Sequence, residues 1–160
     1  MAEFKITLQG NKEIQDALSK GTKKFREPVR RFLDRSVKQV EAKAKEKAPV
    51  DRGRLRSSIR SFTRQVPQPR GIVRAGVPYA PYVEFGTRPH WPPLSAMQPW
   101  ARRHGFPAGR VGAFLVARAI ARHGTKPQPY MEPALKESED DINKFLDMAS
   151  EEIEQLWERI

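Results

Sequence analysis

The sequence predicts an α+β fold: a small antiparallel sheet with a central hairpin, packed against a long N-terminal helix and a long C-terminal helix. Three observations predict it. Apolar residues keep helical spacing from Phe25 to Ala44 and again from Leu135 to Ile160. Between them, Ser57 to Arg64 and Gly71 to Val77 read as two strands joined by a proline-bearing connection. The length of 160 residues, 38% hydrophobic, suits a single domain over 1–160, because compact domains most often hold roughly 100 to 150 residues.

The elements follow in order. Phe4, Ile6 and Leu8 alternate with Lys5 and Thr7, which predicts a half-buried strand within 1–10, and Gly10-Asn11 supplies a turn and a helix N-cap. Residues 12–45 are helical. Ile14, Ala17 and Leu18 form a short first piece; Phe25, Val29, Phe32, Leu33, Val37, Val40 and Ala44 mark the apolar stripe of a long second one. Proline is tolerated in a first turn and costs roughly 3 kcal/mol inside a helix, so Pro28 puts the start near Glu27 or a kink there. Residues 48–77 form a loop and a β-hairpin, with the turn chemistry of Asp51-Arg52-Gly53 and one apolar anchor, Leu55. Pro67 and Pro69 keep the hairpin connection, Gln65 to Arg70, out of the ladder. Val73, Ala75 and Val77 share one face, and Arg56, Arg60 and Arg64 share a face of the first strand.

Residues 79–123 form a helical insertion. Tyr79 to Thr87 holds one helical turn opened by Pro81 and closed by Gly86, and Pro89, Pro92 and Pro93 enforce irregular chain around Trp91. Leu94 to Arg103 and Val111 to Arg122 are helices, each ending in Arg-His-Gly: cations in the last turn, then glycine where a left-handed residue is needed. Residues 127–160 give an extended lead, Lys126 to Pro129, and a final amphipathic helix from Pro133 with Leu135, Ile142, Phe145, Leu146, Ala149, Ile153, Leu156, Trp157 and Ile160 on one stripe. At about 1.5 Å per residue it would run roughly 42 Å. A domain of this length is only about 40 Å across, so the helix spans or overhangs it.

Charge narrows the function classes. The chain carries 30 Lys and Arg against 19 Asp and Glu, net +11, so a polyanion or an acidic protein surface is the expected neighbour. Residues 132–160 hold ten acids and three bases, net −7, which leaves the body at +18. A monomer can fold one against the other, or a ring can set the acidic segment of one copy on the basic face of the next. No cysteine occurs, which excludes disulfides, thiolate metal sites and a cysteine nucleophile. Met1 to Gln9 lacks the apolar core of a signal peptide, and no apolar run approaches the roughly 20 residues of a membrane helix. A soluble product made in the cytoplasm, with no membrane partner, is expected.

No catalytic constellation stands out, and the chain is read as a non-enzyme with no cofactor and no metal. His90, His104 and His123 lack zinc-site spacing, and the last two are explained as helix ends. The repeated Arg-His-Gly has the tripeptide of acid phosphatases without the arginine and proline pattern that accompanies it there. Asp51 reads as a turn residue and Glu84 as part of a capped turn, which leaves a weak case for an acid-base pair or a hydrolase built on them or on His104. Gly53 and Gly86 stand alone, so no phosphate loop is present. Nucleic-acid binding is the stronger rival: Arg52, Arg54, Arg56, Arg60, Arg64, Arg70, Arg74 and Arg88 cluster in the loop, the hairpin and beyond, and arginine suits phosphate oxygens. The same row is also what a solvated sheet face would show. With no sequence-reading motif, such contact would be to the DNA backbone.

Three segments together resemble the family of phage proteins named after gene product ten of a lambdoid phage, counted as minor tail, neck or tail completion proteins. They are Ala48-Pro49-Val50-Asp51-Arg52-Gly53-Arg54-Leu55-Arg56-Ser57-Ser58-Ile59, Tyr79-Ala80-Pro81-Tyr82-Val83-Glu84-Phe85-Gly86-Thr87, and Pro127-Gln128-Pro129-Tyr130-Met131-Glu132-Pro133-Ala134-Leu135. The resemblance covers roughly residues 12 to 145. Arg52 departs from it, the family more often having a small residue such as threonine, and Trp91 to His123 is a stretch shared only by longer members.

The resemblance implies a structural α+β subunit of the virion that assembles as a homo-oligomeric ring at the head-tail junction. There it would lie between head-closure or adaptor proteins and the tail terminator, with DNA in the lumen. On that reading Arg52, Arg54, Arg56, Arg60, Arg64 and Arg74 face genomic double-stranded DNA or an acidic neighbour. Tyr79, Tyr82, Phe85, Tyr130 and Met131, with Phe145, Ile153 and Trp157 of the last helix, would pack subunits together or form an ordinary core.

Overall fold

In the long helix α1, Lys23–Lys47, the stripe of Phe25, Val29, Phe32, Leu33, Val37, Val40 and Ala44 is at most 3% exposed throughout. The computed structural model describes residues 3–6, 23–64 and 69–159; the expected short helix at Ile14 to Leu18 lies outside them. The long helix begins a turn before the expected start, with Pro28 inside it. So near the end, the missing N–H removes a single ladder bond. That first turn is anchored by Phe25, whose ring centroid lies 5.8 Å from that of Trp157, and by the Glu27–Arg30 pair at 2.8 Å.

By contacts the chain divides into two compact units, residues 1–80 with 129–160, and residues 81–128. The first unit is layered. A three-stranded antiparallel sheet has the order β1-β3-β2, with β1 Glu3–Ile6, β2 Ile59–Arg64 and β3 Arg70–Ala75. Helix α1 covers one face. On it lie Ile59, Val73 and Ala75, all at 0% exposure, along with Ser61, whose backbone N–H donates to Glu41 at 2.7 Å, and Thr63, whose hydroxyl donates to Asp34 at 2.7 Å. Helix and sheet approach so closely that a Cβ on Gly71 would sit 2.3 Å from a Val37 methyl.

The expected strand at Ser57 starts two residues later. Helix α2, Arg54–Ser58, takes its place, since the Ser57 and Ser58 hydroxyls donate back to the carbonyls of Arg54 and Leu55, at 3.1 and 2.7 Å, while Leu55 anchors the turn at 5% exposure. Arg56 therefore rides on a helical turn and not on the strand, and Val77 lies beyond the end of β3.

The far side of α1 is covered by the C-terminal segment, which is two helices where one was expected: α6, Met131–Lys136, and α7, Glu139–Trp157. Ser138 makes the break. It is fully buried, its hydroxyl donates to the Ala134 carbonyl at 2.7 Å, and its N–H turns to the Leu135 carbonyl at 2.9 Å in a tighter turn. At 19 residues α7 is roughly 28 Å long, well short of the expected 42 Å. Ile142, Phe145, Leu146 and Ile153 pack with Ala149 against Val29, Phe32 and Leu33. Three acids of this segment meet bases of α1: Glu152 with Arg31, Asp141 with Lys43 at 3.6 Å, and Glu137 with Lys47. The order of these pairs makes α7 antiparallel to α1.

The second unit holds α3, Ala80–Phe85, α4, Leu94–Arg103, and α5, Arg110–His123. Helices α4 and α5 pack through small residues: Ala101, Ala113 and Ala117 are at most 1% exposed. Both Arg-His-Gly ends have their glycine at positive φ, 77° at Gly105 and 70° at Gly124. Thr87 and Thr125 form an antiparallel bridge, with N–H to O distances of 3.1 and 3.2 Å and hydroxyls 3.1 Å apart. A Cβ on Gly124 would fall 2.0 Å from the Thr87 carbonyl oxygen.

Candidate interaction surface

The period-two alternation of β2 turns Arg60, Phe62 and Arg64 to the face opposite α1. The register then sets Arg60 across from Arg74, Phe62 from Ile72 and Arg64 from Arg70. Four arginines thus bracket one apolar pair. The Arg74 guanidinium lies 5.1 Å from the Phe62 ring centroid, in cation–π range, and Arg60 donates to its own strand at the Ile59 carbonyl, 2.9 Å away. The Arg70 Nε is buried without a hydrogen-bond partner among the described residues, whereas Arg60, Arg64 and Arg74 are exposed. No ion pair joins these four to a carboxylate among the residues with described side chains, and the register sets Glu3 of β1 across from Arg74 on its other side.

Arg52, Arg54 and Arg56 are exposed on the bend and on α2, where Arg56 reaches the Glu46 carbonyl at 3.5 Å. They extend the positive charge without sharing the sheet face, and Arg88 is exposed in the second unit. What the sequence reading missed is the cross-strand pairing. Its signal was present, because Arg60 and Arg64 lie as far before Pro67 as Arg74 and Arg70 lie after it, which is how a hairpin centred there mirrors them.

The aromatic candidates separate by burial. Tyr130 and Met131 are at 0% exposure, while Tyr79, Tyr82 and Phe85 are exposed, Phe85 by 65%. Phe145 and Ile153 are half-buried against α1, and Trp157 keeps one side on Phe25 with the rest exposed. Outside the expected set, α5 exposes Val111, Phe114 and Leu115, and Trp91 meets Phe114 edge-on with centroids 5.7 Å apart.

The residues weighed for catalysis sit on separate elements. His104 stacks on Trp100 with centroids 3.9 Å apart and its Nδ1 lies 2.9 Å from the Trp100 carbonyl; the Nδ1 of His90 lies 3.0 Å from the Arg88 carbonyl. Asp51 is exposed, and Glu84 is buried within α3. Among the described residues no group of three or more His, Asp or Glu is placed to hold a metal ion, and no helix is long and apolar enough to cross a membrane. The carboxylate with the clearest perturbation is structural: burial would raise Glu41, but hydrogen bonds from Lys45 and from the Ser61 hydroxyl and N–H outweigh it and hold Glu41 below the usual range.

Nothing among curated proteins or solved structures matches the chain. Residues 12–86 match the family described as "Bacteriophage HK97-gp10, putative tail-component". Within the described residues that segment carries α1, α2, both hairpin strands and α3, hence the arginine face, and it ends at the glycine before Thr87. The third motif, Pro127 to Leu135, lies outside it. Over residues 12–86, just under half its length, the chain therefore matches the HK97-gp10-like family of phage proteins, the family its motifs resemble.

Proposed function

We propose that the chain is a structural subunit of a tailed-phage particle, acting in the neck as a head-tail joining or tail completion protein that assembles as a ring around the DNA path. The family match over residues 12–86 carries the coarser part, a phage tail component in the virion. The finer part rests on the motifs and on the division of charge. In this reading the exposed arginines contact an acidic neighbour or DNA. Tyr79, Tyr82, Phe85 and Trp157 are the aromatic candidates exposed enough to join subunits, whereas Tyr130 and Met131 are buried. Particles made without this gene should show, in negative stain, filled heads and finished tails lying unjoined. Normally joined particles would sink the proposal.

A second reading, a basic accessory protein that binds duplex DNA without sequence preference, is favoured by the exposed Arg52, Arg54 and Arg64. It requires duplex affinity that falls steeply with salt. No binding at about 50 mM salt removes it.

A further inference from the structure

The first unit has two opposite outer sides, and each carries exposed charge of mainly one sign. Around α1, Asp34, Val37 and Glu41 face the sheet, while Arg35, Gln39 and Lys43, about half a turn away, face α7: Gln39 donates to Asp141 at 2.7 Å and Arg35 approaches the Met148 sulfur at 4.0 Å. The arginine face of the sheet and the outer side of α7 therefore point away from each other across three layers.

On α7 that outer side is an acidic stripe. Asp140, Asp147, Glu151 and Glu154 project opposite the buried Ala149, Glu158 continues the line past the last turn, and all five are exposed. None forms an ion pair among the described residues. Asp147 with Glu151, and Glu154 with Glu158, are like charges four residues apart, an arrangement that destabilises an isolated helix. The last turn of α7 contains no base to meet the negative end of its dipole. On the sheet face Arg60 directly opposite Arg74, and Arg64 opposite Arg70, are like-charge cross-strand pairs, and only Arg74 has an acid, Glu3, in register on its other side. Each surface is locally unfavourable alone, and each would be relieved by the other.

Dimensions agree as well. The two arginine pairs are four strand residues apart, roughly 13 Å, and the acids from Asp147 to Glu154 run roughly 10 Å along the helix, close enough in span for both pairs to reach acids at once. DNA on the arginine face would leave the acidic stripe unexplained.

We propose that the arginine face of one copy, Arg60, Arg64 and Arg74 around Phe62, docks on the outer acidic stripe of α7, Asp147, Glu151 and Glu154, of a second copy. The inference rests on the ring-subunit reading above and gives that ring its contact. Because the two surfaces are different and lie on opposite sides, the contact is head-to-tail: it repeats from copy to copy and closes into a ring if the rotation permits.

The test is a charge swap read by sedimentation velocity and native mass spectrometry on the full chain, with circular dichroism to verify folding. The wild type should assemble at about 50 mM salt and weaken toward about 500 mM. The variant Arg60→Glu/Arg74→Glu, and separately Asp147→Arg/Glu151→Arg/Glu154→Arg, should each lose association by at least about 100-fold. Mixing the two should restore assembly, because each then offers the other an opposite surface, and that restoration itself shows that both variants fold. If either variant still assembles like the wild type, or the mixture stays apart, the interface is wrong while the ring-subunit reading stands. A wild type that runs as single chains at every salt concentration overturns both. If Arg60→Glu/Arg74→Glu abolishes binding to a random-sequence duplex but leaves the assembled mass unchanged, the face meets DNA and the inference falls.

Discussion

Gly71 is the position where the sheet and α1 allow no side chain. Its neighbour across the gap is a Val37 methyl, 2.3 Å from where a Cβ would stand, and Val37 is itself 2% exposed and cannot swing into open space. Even alanine must push the helix from the strand. Gly71→Ala should lower stability by about 1–3 kcal/mol, the usual cost of overpacking a filled core, in a urea melt monitored by circular dichroism. An unchanged midpoint would mean that the layers slide freely. Single residues of this kind were only partly legible in the sequence. Leu33, Val37 and Val73 announce themselves as core by type and spacing, but a glycine's packing role depends on which helix comes to lie over it. The same holds for Arg56: its alternation with Arg60 and Arg64 read as a strand because the serines between them carry no apolar signal, and their hydroxyls then decided for a helical turn.

Elements were legible where the apolar period is long and uninterrupted. The stripe from Phe25 to Ala44 gave α1 its end to within two residues, whereas its start was misplaced because proline was weighed without Trp157, a partner more than 120 residues away. The C-terminal stripe gave the right buried face but concealed the break at Ser138, since a serine that fits both a helix and its interruption is resolved only by burial. Between elements, Glu41 ties α1 to β2, and its chemistry gives a pH signature. Its pKa is lowered in the folded chain, so the stabilisation is complete above the ordinary carboxylate range near 4.5 and is lost as pH falls through the lower folded value. Glu41→Gln should cost roughly 1–3 kcal/mol at neutral pH and flatten the acid side of the stability curve. A parallel displacement of the whole curve, with the acid limb unchanged in shape, would show that Glu41 acts through packing alone.

At the scale of the whole molecule, the split in charge seen along the sequence has two destinations. Part of the acidic segment is spent inside the chain, where Glu137, Asp141 and Glu152 meet the bases of α1; Asp140, Asp147, Glu151, Glu154 and Glu158 line the outer side of α7. The sequence could give the totals but not this division, because it depends on which side of α7 turns inward. The chain's other large-scale feature is the rung between Thr87 and Thr125. Residues 88–124 leave and return at neighbouring points, so the chain path on either side of the rung does not depend on how much polypeptide lies between. In genetic terms that stretch is a cassette, and the family match stops two residues before it opens. Replacing residues 88–124 by a two-residue Asn-Gly turn, which suits a tight antiparallel reversal, should leave a protein that still melts cooperatively, with its helical signal reduced by the share of α4 and α5. Such a cassette can be lengthened, shortened or exchanged at one fixed splice, which makes residues 88–124 the place where the chain can acquire a new reach.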